Sequence, residues 1–339
     1  MPLVTSKELL LDAQARGYAV GAFNANNMEC VKAVIEAAEE ERAPVILQVS
    51  QGAIKYAGLK MATNMVTTIA EEASVPVVLH LDHGTSLVQN MQCLHVGFTS
   101  LMFDGSALPL EENIVTSAKI VEAAHACGLP VEAELGKIPT IEDFLAPDAM
   151  NALRARPPAE QVTELRRIAG PKTEALMADP TQAKSFVERT GIDSLAAAMG
   201  SIHGMWGDIW PLRRDRIEEI RKATGLPLVC HGSSGVLRTR GDAKTKGIEL
   251  QPNECTLEEA VKLGVSKINV ATAVSMAFLR GCRAAFDERP MEKDLRKILL
   301  PGLKAAKELV RSYIQLFDAS GKAGGGEAKV ATSEIKHAE

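Results

Sequence analysis

Eight short β-favouring runs recur along the chain, at 19–24, 44–50, 75–82, 100–104, 130–135, 194–200, 226–231 and 267–272. Most are close to continuously apolar, as expected of strands buried on both faces in a parallel sheet. Amphipathic stretches lie between them. Residues 28–41 carry Val31, Val34, Ile35 and Ala38 on one stripe, and residues 110–126 carry Ile114, Ala118, Val121 and Ala124. Eight strands alternating with helices, without a break in composition, predict an α/β chain folded as one (β/α)8 TIM barrel over residues 1–320. Two segments stand outside the alternation. The stretch 137–184 contains Pro157-Pro158 and predicts an enlarged loop after the fifth strand, a lid with one helix near 161–168. The stretch 321–339, with Gly324-Gly325-Gly326 and then mixed charges, predicts a disordered tail.

Composition narrows the class. The formal net charge of -5 gives no basic footprint for nucleic acid. The longest apolar runs are strand-sized, so no membrane span is expected. Residues 1–7 lack a signal-peptide pattern, and the six cysteines are scattered without a CxxC, which predicts reduced thiols and a cytoplasmic setting.

The reactive side chains fall at the ends of the predicted strands. Asn24, Ser50, Asp82, His83, Asp104, Glu134, His203, His231 and Asn269 all stand where a strand gives way to a βα loop. That is the end of a barrel where active sites are built. His83, His203 and His231 each follow an apolar run and precede a glycine. Taken singly, each could merely hydrogen-bond in a polar barrel mouth. Three together predict a metal site, because zinc favours neutral imidazole and its catalytic sites take three protein ligands. Asp82 is offset by one residue from a ligand and fits an acid/base beside the metal. Asp104 and Glu134 are expected to orient the histidines, or else to bind a second cation, and Glu132 shares the face of Glu134 and competes for its role. His80 is read as alternating away from Asp82 and, with His95 and His125, as structural. The loops Gly232-Ser233-Ser234-Gly235 and Asn269-Val270-Ala271-Thr272 follow strands seven and eight, a frequent phosphate site in barrels.

With these residues in view, the chain resembles the class II, metal-dependent ketose-bisphosphate aldolases of the fructose- or tagatose-bisphosphate type. The resemblance runs from Leu3 to about Ala323. It is carried by Gly21-Ala22-Phe23-Asn24, Leu81-Asp82-His83-Gly84, Phe103-Asp104-Gly105-Ser106, Glu132-Ala133-Glu134-Leu135-Gly136, Gly200-Ser201-Ile202-His203-Gly204, His231-Gly232-Ser233-Ser234-Gly235 and Lys267-Ile268-Asn269-Val270, in the family's order. It implies a zinc ion on His83, His203 and His231, with Asp82 as acid/base at the C4 oxygen of the substrate. Glu134 and Asp104 match an alternate or second metal site, for a divalent or monovalent cation. Glu142 matches a mobile-loop glutamate that moves a proton at C3. Asn24, Ser50 and Asn269 match substrate contacts, and Gly204, Gly232, Ser234 and Thr272 surround a donor phosphate, with Ser233 in place of a glycine in that loop. The implied reaction is reversible retro-aldol cleavage of a ketose phosphate such as fructose 1,6-bisphosphate, by a homodimer or homotetramer.

Several positions depart from the family pattern. Pro139-Thr140 replace a glycine pair and should stiffen the lid, which roughly twenty extra residues enlarge. His203-Gly204-Met205-Trp206-Gly207 lacks a lysine expected near the phosphate, and Ala271 and Ala273 stand at polar positions. Arg238, Arg240, Lys244 and Lys246 could supply the missing charge, although a solvated loop is the plainer reading. The reaction type is therefore expected to be retained, with the substrate left open to another sugar phosphate, a sugar acid or an unphosphorylated ketose. Metal-dependent hydrolysis lacks its His-x-His pair. A non-catalytic metabolite-binding barrel would have no need of Asp82.

Overall fold

The structure, a computed structural model, describes residues 3–324. Eight parallel strands form one sheet: β1 (Val20–Asn24), β2 (Val45–Ser50), β3 (Val77–Asp82), β4 (Leu101–Phe103), β5 (Val131–Leu135), β6 (Ser194–Ala197), β7 (Leu228–Cys230) and β8 (Val265–Val270). They run β3-β2-β1-β8-β7-β6-β5-β4, with β1 paired to β8 so that Val20 lies opposite Lys267 and Ala22 opposite Asn269. The ring closes between β3 and β4, where Leu81 N donates to Ser100 O (3.0 Å) and Ser100 N to Leu79 O (3.1 Å). The expected (β/α)8 barrel is therefore present, and the expected helices occur as Met28–Glu41 and Leu110–Ala126.

Burial follows the pleat. Outward-facing strand residues such as Leu79, Leu101, Leu195 and Leu228 join the main core beneath the helices. Met102, Ala196 and Val229, on the opposite faces of β4, β6 and β7, form a separate small cluster inside the barrel. Residues two apart on a strand share a face, which corrects the reading of His80. It lies on the same face as Asp82, buried, with its Nδ1 at 2.8 Å from Ser100 Oγ and its Nε2 at 3.2 Å from Lys267 Nζ.

The stretch 137–184 is more than a loop with one helix. It holds a short 3-10 turn at Ile141–Asp143, the helices Pro147–Arg154, Pro158–Ile168 and Gly170–Leu176, and the start of Pro180–Thr190. Proline at the first helical turn starts each of those four helices, where its missing N–H costs nothing. Together with the segments after β6 and β7 they enclose a second apolar core, which includes Ile141, Met150, Leu153, Val162, Leu165, Ile202, Trp210 and Leu237. A two-stranded antiparallel pair, Leu212–Arg213 with Glu254–Cys255, lies outside the barrel sheet and has no counterpart in the sequence reading. Of the expected tail, residues 325–339 lie outside the described residues. Its first residues are tied down: Gly321 N donates to Glu41 O (2.8 Å) and Ala323 N to Arg42 O (2.9 Å).

One carboxylate fastens the chain where it re-enters the barrel after the insertion. Asp193 Oδ2 accepts from Val131 N (2.8 Å) and from His125 Nε2 (2.8 Å), while Oδ1 meets Lys7 Nζ at 2.9 Å. Burial opposes its charge, but His125, Lys7 and the Val131 N–H outweigh burial and hold the carboxyl below the usual range. A depressed folded value stabilises the protein above the unfolded pKa, and that stabilisation is lost as pH falls through the folded value. Asp193→Asn is expected to cost about 1 kcal/mol at pH 7, because Lys7 and His125 are partly screened by water. In urea unfolding, the gap from the parent protein should narrow between pH 7 and pH 3.

Candidate active site and metal centre

The mouth of the barrel is formed by strand ends that turn outward at the same level. At the end of β3, Asp82 is the last strand residue and His83 follows in the left-handed region, with φ +52°. That bend, unusual for a non-glycine residue, brings both side chains to the mouth instead of sending them to opposite faces. Gly84 must follow, since a Cβ there would lie 2.6 Å from Met102 O.

Asn24, Ser50, Asp82, His83, His203, Gly204, His231, Gly232, Ser233, Ser234, Asn269 and Thr272 line a single cavity of about 230 Å³. His83 Nε2 lies 2.9 Å from His231 Nδ1, and the His203 ring centroid is 5.4 Å from that of His83. One nitrogen from each of the three rings falls within 4.8 Å of the other two. Asp82 is held by amide donors on both sides: Asn24 Nδ2 at 3.0 Å from Oδ2 and Asn269 Nδ2 at 3.4 Å from Oδ1. Its Oδ1 is 3.9 Å from His83 Nε2.

Beyond His83, Asp104 Oδ2 contacts His83 Nδ1 at 2.8 Å, and Glu134 Oε2 lies 3.8 Å from the same nitrogen. His83, Asp104 and Glu134 make a second group whose donor atoms converge. Ser106 holds Asp104 in place, its N and Oγ donating to Oδ1 at 3.1 and 2.7 Å. Glu142 sits at the rim, its carboxylate oxygens 3.6 and 3.8 Å from the point a Cβ on Gly204 would occupy. The segment carrying it is pinned to the β6 loop, because His203 N donates to Pro139 O (2.8 Å) and Ile141 N to His203 O (2.9 Å).

The family model described as "Fructose-bisphosphate aldolase class-II" matches residues 4–322. The chain belongs to that family. Its members are lyases that break carbon–carbon bonds by aldol cleavage, and this chain is such a lyase; zinc dependence is a property of the family. It is 40% identical to a fructose-bisphosphate aldolase of Thermus caldophilus over 330 residues, covering 95% of this chain and 100% of the relative. A probable fructose-bisphosphate aldolase of Bacillus subtilis (strain 168) is 39% identical over 326 residues, with 95% of this chain and 100% of the relative covered. Among solved structures, the YdjI aldolase of Escherichia coli K12 superposes with a TM-score of 0.73 at 31% identity, covering 95% of this chain and 99% of the other.

The donor set of this aldolase fits a cation. Burial disfavours charge on the His83 imidazole, yet Asp82, Asp104 and Glu134 outweigh burial and raise its pKa to about 10. Burial and the neighbouring His83 charge depress His203 to about 4, and they push His231 well below its ordinary value. His203 and His231 are thus held neutral, as metal ligands must be, and His83, drawn to its charged form by the carboxylates around it, would give up that proton to a divalent cation. Burial, then the charge of Asp104, raises the Glu134 carboxyl to about 8. Its Oε2 is buried with no hydrogen-bond partner. A buried carboxyl oxygen without a partner in a low-dielectric site is costly, and a cation beside it would relieve that cost.

Gln48 and Lys267 escaped the sequence reading, which left Glu132 as an unresolved rival of Glu134, and all three stand two positions before a strand-end residue. Gln48, before Ser50, donates to Asn24 Oδ1 (2.7 Å), and so steadies the amide that holds Asp82. Glu132, before Glu134, accepts from His231 Nε2 (2.8 Å) through Oε1 and meets Lys267 Nζ (2.8 Å) through Oε2. Lys267, before Asn269, is fully buried. The orienting role expected of Glu134 is therefore taken by Glu132 for His231 and by Asp104 for His83. Period-two alternation was the available signal.

Some expected contacts are made differently. Ser50 Oγ caps the helix Gln51–Ala57 by accepting from Ala53 N (3.3 Å). The Ser233 hydroxyl turns inward to donate to Asn269 O. Ser234 Oγ accepts from Ala273 N at 3.3 Å. The basic loop residues do not line the cavity: Arg238 stacks on Tyr313, Arg240 pairs with Glu259 (2.6 Å), Lys246 donates to Gly207 O (2.8 Å), and Lys244 borders a separate hollow. Of the six cysteines, all free, only Cys127 is exposed. Among the described residues no helix is long and apolar enough to cross a membrane.

Proposed function

We propose that the protein is a zinc-dependent aldolase that cleaves fructose 1,6-bisphosphate between C3 and C4, giving dihydroxyacetone phosphate and an aldehyde phosphate. The carrying observation is the placement of Asp82 against three convergent imidazole nitrogens inside one cavity. Relatives named fructose-bisphosphate aldolase at about 40% identity support the choice of substrate.

His83, His203 and His231 would hold the zinc, which when bound supplies a Lewis acid for the ketose oxygens. Asp82 takes the proton from the C4 hydroxyl. The C4–O bond becomes the aldehyde carbonyl, and the electron pair of the C3–C4 bond stays on the donor half. Asn24 and Asn269 keep the Asp82 carboxylate aimed, since both donate to it. Glu142, at the rim beside Gly204, returns a proton to C3. Gly232, Ser234 and Thr272 offer the loop and helix N-terminus where a donor phosphate is received. The His83–Asp104–Glu134 group is a second place for a cation, with the orphaned Glu134 oxygen as donor. The protein is read as a cytoplasmic homodimer or homotetramer.

The test is retro-aldol turnover of fructose 1,6-bisphosphate, read as triose phosphate, before and after chelation and zinc return. Turnover on the order of 1–10³ s⁻¹ that vanishes on chelation and returns with zinc is expected. A folded, zinc-loaded protein with no turnover would move the substrate to another ketose.

A further inference from the structure

A cleft of about 420 Å³ adjoins the catalytic cavity, and Gly204, Ser234 and Thr272 line both. Its lining includes two guanidinium groups from separate parts of the chain. Arg154 ends the insertion helix Pro147–Arg154, and Arg280 lies two turns into the helix Thr272–Glu288. Neither makes an ion pair among the described residues. Arg154 is nonetheless held in place: its guanidinium lies 4.3 Å above the Trp206 ring. Trp206 is fixed in turn, its indole N–H donating to Gln161 Oε1 (2.8 Å), and Gln161 donates to Arg156 O (2.7 Å). The insertion thus builds a platform that seats one cation in the lining of the cleft.

The charge on this lining is unbalanced. Asp208 is the one carboxylate lining the cleft among the described residues, and Lys246 and Arg238 already act on it. The N-terminus of the helix Thr272–Glu288 also borders the cleft and adds partial positive charge, with no side chain of its own capping it. Two unpaired guanidiniums, a helix N-terminus and a glycine-serine loop around one opening make an anion receptor, since guanidinium matches the geometry of phosphate oxygens.

We propose that Arg154 and Arg280 are specificity-determining residues that bind the phosphate monoester on the ketone-side carbon of the substrate. The insertion after β5 then acts in substrate selection by bringing Arg154 to the site. This rests on the reading of the adjoining cavity as an aldolase site, and it adds which residues select a phosphorylated donor.

The experiment uses the zinc-loaded full chain and isothermal titration with dihydroxyacetone phosphate, with unphosphorylated dihydroxyacetone as the comparison. Arg154→Gln and Arg280→Gln are each expected to weaken dihydroxyacetone phosphate binding about tenfold, and the double variant about a hundredfold. Zinc affinity and dihydroxyacetone binding should stay unchanged, which a general loss of structure would not allow. Arg280 is exposed on a helix, so its single variant serves should the insertion fail to tolerate Arg154→Gln. Dihydroxyacetone phosphate binding within about twofold of the parent in the double variant would overturn the proposal, as would a parent protein that does not prefer the phosphorylated ligand. Arginine-dependent binding in a protein with no turnover of fructose 1,6-bisphosphate would sustain this inference while removing that substrate.

Discussion

Asp82→Asn leaves zinc bound and the fold intact but lowers aldol cleavage by about two to four orders of magnitude, the usual contribution of a positioned acid/base. The side chain is buried and touched by Asn24 and Asn269, so an isosteric amide fits the same space. It keeps an oxygen that accepts a hydrogen bond, and it loses the capacity to take a proton. The effect should fall on kcat more than on KM, because substrate contacts elsewhere in the cavity are untouched. A sharper readout separates the two proposed proton carriers. Glu142 serves C3 and Asp82 serves the C4 oxygen, so the variant should still exchange the C3 proton of dihydroxyacetone phosphate with deuterated solvent. Exchange lost in parallel with cleavage would assign both proton steps to Asp82. Full cleavage in the variant would remove Asp82 from the chemistry.

Glu132→Gln should weaken zinc binding by about 10- to 100-fold, the range found when the hydrogen-bond partner of a ligating histidine is changed. Glu132 fixes His231 by accepting from Nε2, which leaves Nδ1 turned toward His83. A neutral glutamine still accepts a hydrogen bond there, but it cannot raise the basicity of the ring as a carboxylate does. The variant also leaves Lys267, fully buried, without its charged partner. Breaking a buried pair from one side costs about 3–5 kcal/mol. Lys267→Met alone should destabilise the protein comparably, by stranding the carboxylate. The double variant Glu132→Gln/Lys267→Met should recover part of the stability and none of the zinc affinity. Those two readouts, thermal unfolding of the metal-free protein and zinc competition, would move together if Glu132 were only a packing element.

Glu132 and Lys267 also mark where the site was legible in the sequence and where it was not. Strand-end residues were legible because a buried parallel strand is apolar until it leaves the sheet, so Asp82, Glu134 and Asn269 stand out at the ends of their runs. The motifs around His83, His203 and His231 carried the family. Glu132 and Lys267 were visible as charges inside strand runs, but a period-two pattern gives only a face. Their bond spans β5 and β8, which are far apart in sequence and brought together across the barrel interior. The same limit hid the correct place of His80, since one strand gives no evidence of what occupies the space across the barrel.

The insertion shows the other side of this. Its prolines and amphipathic stretches specify helices locally, and four start there. What they pack against comes from residues 202–210 and 237–250, so the second core and the seating of Glu142 against the β6 loop arise only in the folded chain. By itself the sequence determined the barrel, through eight buried apolar runs alternating with amphipathic helices, and it determined which residue types stand at the strand ends. Tertiary structure alone decided which of those side chains meet: Glu132 rather than Glu134 on His231, Asn24 and Asn269 on Asp82, and two distant arginines on one cleft. Periodicity is a property of one segment, whereas hydrogen bonds and ion pairs depend on closing the ring.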